Sequence, residues 1–129
     1  MNAQDWLEKA QRAAASAKLL LEAVDYEGAC NRAYYAMFDG ARAALAAIGA
    51  PNEAQTARTH TGLISAFSLH LIKTGYLSVE IGRAFNQMQE IRLVSDYSGD
   101  PIEQEQALWA LEQATLMLEK VKRLINDNE

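Results

Sequence analysis

Cysteine is almost missing from this 129-residue chain, where Cys30 stands alone. A single thiol builds no internal disulfide framework and supplies no zinc-type ligand cluster. Proline is scarce too: Pro51 and Pro101 are the only two, so long stretches run without the residue that breaks helices. Hydrophobic residues make up 50 %, yet none of their runs approaches the roughly 20 residues a membrane-spanning helix needs. The segment from Met1 to Trp6 has neither the basic start nor the apolar core of a secretory signal, so a cytoplasmic location is expected. Also missing are a glycine-rich phosphate loop, a nucleophile elbow and a metalloprotease helix. The two histidines, His60 and His70, lie ten residues apart with no carboxylate spacing to support a metal site, so no metal or other cofactor is expected.

A positive surface of any breadth is lacking as well. The formal net charge is −5, and residues 100–129 carry three basic against seven acidic groups. No segment forms a basic arm, which excludes duplex binding through a broad positive face. Residues 31–99 are the exception, with six basic and five acidic groups, and leave room for a confined positive pocket.

What is there is helical periodicity. Trp6, Ala10, Ala13, Ala17, Leu20 and Val24 alternate at steps of four and three, a bundle-type seam over about Asp5 to Val24. A second helix is expected over about Tyr26–Ile48, stopping at Gly49 and Pro51, and a third over about Thr61–Lys73. A fourth runs from near Ser78 to about Asp96. Asp100, Pro101 and Glu103 then read as N-cap, first-turn proline and N3 acid of a last helix. That helix shows a seam of Ala107, Leu111, Ala114, Leu118, Val121 and Ile125. With short connections and no strand-like alternation, residues 1–129 read as one all-α domain, an up-and-down bundle of about five helices. Its long first and last helices are expected to pack together.

Two features stand apart from this framework. Arg92 falls inside the apolar stripe of Ile81, Phe85, Met88 and Ile91, where a charge needs a partner. It reads either as an ion pair with Asp96 one turn on, or as a phosphate- or partner-binding arginine facing a cleft or dimer seam. The second helix has two faces. Cys30, Tyr34, Met37, Ala41 and Leu45 form a core stripe, while Asn31, Arg32, Tyr35, Phe38, Asp39 and Arg42 mix rings with polar groups. The mixed face reads as covered within the bundle, or as a ligand or intersubunit surface. Arg58, Thr59 and His60 precede a helix start, where they either cap it or help hold an anion.

The string from Gly28 to Phe38, with Tyr34-Tyr35 at its centre, resembles the HEPN superfamily in its branch of small stand-alone proteins. Thr59–Ile64 and Glu90–Tyr97 are similar to that family's later blocks, and the likeness extends over about residues 5–125. The resemblance implies a helical bundle that dimerises with polar clefts facing each other. It also implies a toxin–antitoxin or defence role, with metal-independent endoribonuclease activity in many members. An arginine, here Arg92, would hold the scissile phosphate, and a histidine separated from it by four to six residues would move protons. This chain carries Tyr97 at that place, and no histidine at any such spacing.

The expected proton handlers are therefore Tyr97, Asp96 or His60, with Asn31, Arg32, Tyr35, Asp39 and Arg58 as binding residues. Partners implied by the resemblance are a second copy, RNA or a nucleotide, and an antitoxin or nucleotidyltransferase. The alternative is a non-catalytic HEPN module that binds a nucleotide or a nucleotidyltransferase partner. No membrane partner is expected.

Overall fold

The computed structural model describes all residues 1–129 and contains helices and turns only. The first helix, α1 (Ala3–Glu22), starts in a reciprocal cap: Asn2 Oδ1 accepts from the Asp5 backbone N–H at 2.8 Å, and the Asp5 carboxylate accepts from the Asn2 N–H at 3.0 Å. Its buried face is nearly all alanine, with Ala10, Ala13 and Ala17 at 1 % exposure or less. Small side chains let the next helix approach closely, and α1 packs most extensively against α2 (Tyr26–Ala47).

Helix α2 is the axis of the bundle. Burial extends around most of its circumference and takes in Ala33, Ala36, Met37, Gly40, Ala41 and Leu45, as expected of a helix enclosed by others. At Gly40 the partner α6 (Gln104–Asp127) comes so near that an added Cβ would lie 2.7 Å from Leu118 Cδ2. The first and last helices do touch, but each touches α2 more, so α2 sits between them.

Between α2 and α6 the chain makes a short α3 (Asn52–Gln55), then α4 (His60–Phe67), then α5 (Val79–Ser98). Thr59 Oγ1 caps α4 by accepting from the Gly62 N–H at 2.9 Å. The single helix expected over Thr61–Lys73 is divided. Its second half, Ser68–Ile72, is a π turn closed by the Lys73 N–H donating to the Ser68 carbonyl at 3.0 Å. The wider turn keeps Leu71 fully buried and sets Ile72 against Gly82.

The start of α6 also differs from expectation. Asp100, Pro101 and Ile102 stay outside the helix, and Glu103 takes the cap position, its N–H donating to Gln106 Oε1 at 2.9 Å. Gly99 (φ 73°) ends α5 in the left-handed conformation, which turns the chain away before Pro101. No helix of the chain is long and apolar enough to cross a membrane.

Candidate functional site

The amino-terminal half of α2 lies beside the carboxy-terminal half of α5, and between them opens a cleft of about 410 Å³. Asn31 and Arg32 face it from α2, Arg92, Ser95 and Asp96 from α5, and Cys30 and Met88 are among its apolar walls. The helical register accounts for this grouping. Arg92, Ser95 and Asp96 stand at i, i+3 and i+4 and so share one side of α5.

The charges in the cleft are largely matched. Arg92 Nη2 lies 3.6 Å from Asp96 Oδ2, the ion pair that the spacing allowed. Both ends remain in contact with solvent, the arginine side chain at 19 % and the aspartate at 41 %, so water screens the pair. Asp25 is committed to the start of α2, where Oδ1 accepts from the Gly28 N–H at 2.9 Å. Glu27 Oε1 accepts from Ser95 Oγ at 3.4 Å and ties the two helices across the cleft. Arg92 Nε is out of water and has no acceptor, and neither has Gln89 Oε1, one turn earlier, a donor. The guanidinium therefore keeps hydrogen-bonding capacity that the chain does not use.

Beneath Arg92 lies Tyr34. The guanidinium carbon stands 5.4 Å from the centroid of that ring. Tyr34 is fully buried, and its Oη is 2.7 Å from His60 Nδ1, the N-terminal residue of α4. His60 stacks on Tyr34 with centroids 5.6 Å apart and packs against Phe38 at 4.9 Å. Burial, together with the nearby Arg92 charge, holds the imidazole below its ordinary 6.5, so it is neutral at neutral pH. Burial pushes the Tyr34 phenol up, and the Cys30 thiol up to about 11, which leaves both protonated.

Arg92, Asp96, Asn31 and Arg32 thus share one cleft, and Tyr34 links Arg92 to His60. Tyr97 stands apart: it points away from Arg92 around α5, is 84 % exposed, and lines no part of the cleft. Arg58 is exposed before the Thr59 cap. Tyr35 and Asp39, with Phe38, face a different opening between α1 and α2, which Arg32 also borders. Arg42 is sandwiched between Trp6 and Phe38, at 5.3 and 5.1 Å. It donates to the carbonyls of Gln55 and Ala57 at 3.1 and 2.8 Å, so it staples α3 and the following turn to α2.

Tyr34 is the site residue that periodicity alone misses, because its position marks it as core. The signal lay in its chemistry: a fully buried phenol needs a hydrogen-bond partner, and His60 is one of few side chains able to reach it.

A family model described as the HEPN domain matches residues 3–124. The chain belongs to the HEPN family. A Thermotoga maritima protein named UPF0332 is 34 % identical over 125 residues, covering 95 % of this chain and 89 % of its own. A Gloeobacter violaceus UPF0332 protein is 33 % identical over 96 residues, 74 % of this chain and 72 % of its own. A Methanocaldococcus jannaschii protein designated a candidate toxin is 28 % identical over 124 residues, covering 96 % of this chain and 89 % of its own.

Proposed function

We propose that the protein is a HEPN toxin that cleaves single-stranded RNA without metal, with the scissile phosphate held by Arg92. The observation that carries this reading is the Arg92–Tyr34–His60 arrangement. A guanidinium with unused donors and a neutral imidazole flank one buried phenol. In the tautomer where Nδ1–H donates to Tyr34 Oη, His60 Nε2 is free to take a proton, as a positioned general base requires.

The RNA 2′-hydroxyl then loses its proton to His60, its oxygen forms a bond to phosphorus, and the bond from phosphorus to the 5′-oxygen breaks. The imidazolium returns a proton to the leaving 5′-oxygen, and the product is a 2′,3′-cyclic phosphate. Arg92 stabilises the charge that builds on the phosphoryl oxygens, releasing Asp96 as it does so. Asn31 and Arg32 hold the strand from α2. A homodimer would use the outer side of α5, where Leu93, Val94 and Tyr97 are exposed, and an antitoxin partner would cover the same region.

Analysis of RNA ends after incubation with the protein in a chelator tests this mechanism. Cyclic phosphate ends lost in His60→Ala support it, and purely 3′-hydroxyl products contradict it.

One observation favours a second reading. No histidine lines the Arg92 cleft itself, and Tyr97, at the place of the expected histidine, is exposed. A non-catalytic module binding a nucleotide or a nucleotidyltransferase would need neither. Calorimetry showing nucleotide binding to a protein that cuts no RNA would select it.

A further inference from the structure

The second opening on α2, of about 340 Å³, has a chemistry of its own. Trp6 and Lys9 of α1 face Tyr35, Asp39 and Arg42 of α2, and Arg32 borders both this opening and the Arg92 cleft. Asp39 is the one charged residue among the buried set, at 6 % exposure. Its carboxylate takes part in no ion pair, the chain's single pair being Arg92–Asp96, and it accepts no hydrogen bond. Its oxygens keep a little contact with water at the opening, but a carboxylate so nearly buried without a protein donor is still costly. Lys9, Arg42 and Arg32 offset its charge only at longer range, and burial still raises the carboxyl above its ordinary value. Arg42 is not available to it, being committed to the Gln55 and Ala57 carbonyls.

The unfilled need is therefore for donors, delivered between aromatic faces. The Arg32 guanidinium lies 5.9 Å over the Tyr35 ring, and Lys9 Nζ lies 5.2 Å over Trp6, so cationic groups stand at either side. A carboxylate is acceptor-only and offers two oxygens side by side. Among the nucleobases, guanine alone presents two adjacent donors on one edge, the N1–H and the N2 amine. Adenine and cytosine place an acceptor beside their amine, and uracil has one N–H between two carbonyls.

We propose that this opening is a guanine subsite. The base displaces the Lys9 and Arg32 side chains from Trp6 and Tyr35 and packs against those rings, Asp39 accepts from N1–H and N2–H, and Arg32 meets the attached phosphate on the way to the Arg92 cleft. Stacking of this kind tolerates any base, so Asp39 supplies the discrimination. The subsite rests on the RNA-cleaving reading for the use to which it is put, and base recognition is measured apart from cleavage.

The experiment is calorimetric titration of the full chain with GMP, IMP and AMP. GMP is expected to bind about tenfold more tightly than AMP, the lower end of what a bidentate base contact discriminates. IMP, which lacks the N2 amine, falls between them. Asp39→Asn abolishes the preference, and Tyr35→Ala, at a partly buried position, weakens all three ligands together. Equal affinities in the wild type, no binding of any of the three, or a preference that survives in folded Asp39→Asn would each overturn the proposal. If Asp39→Asn does not fold, the GMP-to-IMP ratio of the wild type decides. A guanine preference without RNA cleavage leaves the subsite standing and removes the nuclease reading. Cleavage without a guanine preference does the reverse.

Discussion

Tyr34 Oη lies 2.7 Å from His60 Nδ1, and this contact joins the buried axis of the bundle to the first residue of α4. The partners are 26 positions apart in sequence, and the Arg92 guanidinium rests on the same phenol ring from a third helix. One side chain thereby fixes an imidazole and seats a cation.

The first consequence is a titration. Burial and Arg92 lower the His60 pKa from 6.5, so the unfolded chain takes up this proton more readily than the folded one. The stability that His60 contributes is present above pH 6.5 and is lost as pH falls through the lowered folded value. NMR titration of the ring should place its midpoint below 6.5, and Arg92→Ala should raise that midpoint part of the way, because burial remains. A midpoint at or above 6.5 in the folded wild type would contradict this.

Arg42 makes a separate prediction, about architecture. Its fork spans two carbonyls, Gln55 and Ala57, while its plane lies between Trp6 and Phe38. Arg42→Ala should lower unfolding stability by about 2–3 kcal/mol, as expected for charge-assisted hydrogen bonds that remain partly wet. Arg42→Lys should recover little, since a point charge cannot reproduce the two-pronged geometry. Denaturant unfolding of the two variants checks both statements.

Gly40 tests the packing of α2 on α6. An added Cβ would meet Leu118 Cδ2 at 2.7 Å. Gly40→Ala should therefore cost about 1–3 kcal/mol through overpacking, against the stabilisation alanine ordinarily brings to a helix interior. Pairing it with Leu118→Ala should relieve most of the crowding term, seen as non-additive shifts in the denaturation midpoint.

Much of this organisation was written in the spacing of apolar residues. The seams of α1 and α6 and the extent of α2 follow from helical period, except that Val24, expected on the α1 seam, lies beyond the helix end, 67 % exposed and at φ 64°; the Arg92–Asp96 pair follows from their separation of four. Helix-end chemistry was less legible. Asp100-Pro101 has the pattern of a helix start, but Gly99 turns the backbone first and Glu103 supplies the cap. The π turn at Ser68–Ile72 leaves no mark on periodicity, because it shifts backbone hydrogen bonds by one residue without altering composition. Within the site, pattern located Arg92, Asp96, Asn31 and Arg32. The association of Tyr34 with His60 depends on how α4 docks on α2, a tertiary fact that local spacing does not encode.

The Arg92–Asp96 pair is accessible to water, so removing Arg92 should cost only about 1 kcal/mol of stability. Function should respond far more strongly than folding. The decisive measurement is cleavage of a mixed single-stranded RNA in EDTA by the wild type and by folded Arg92→Ala. The account predicts 2′,3′-cyclic phosphate products from the wild type and a loss of roughly 10²–10³ in rate for the variant, the usual effect of deleting one transition-state donor. Equal cleavage by both proteins, or none by the wild type, would contradict it.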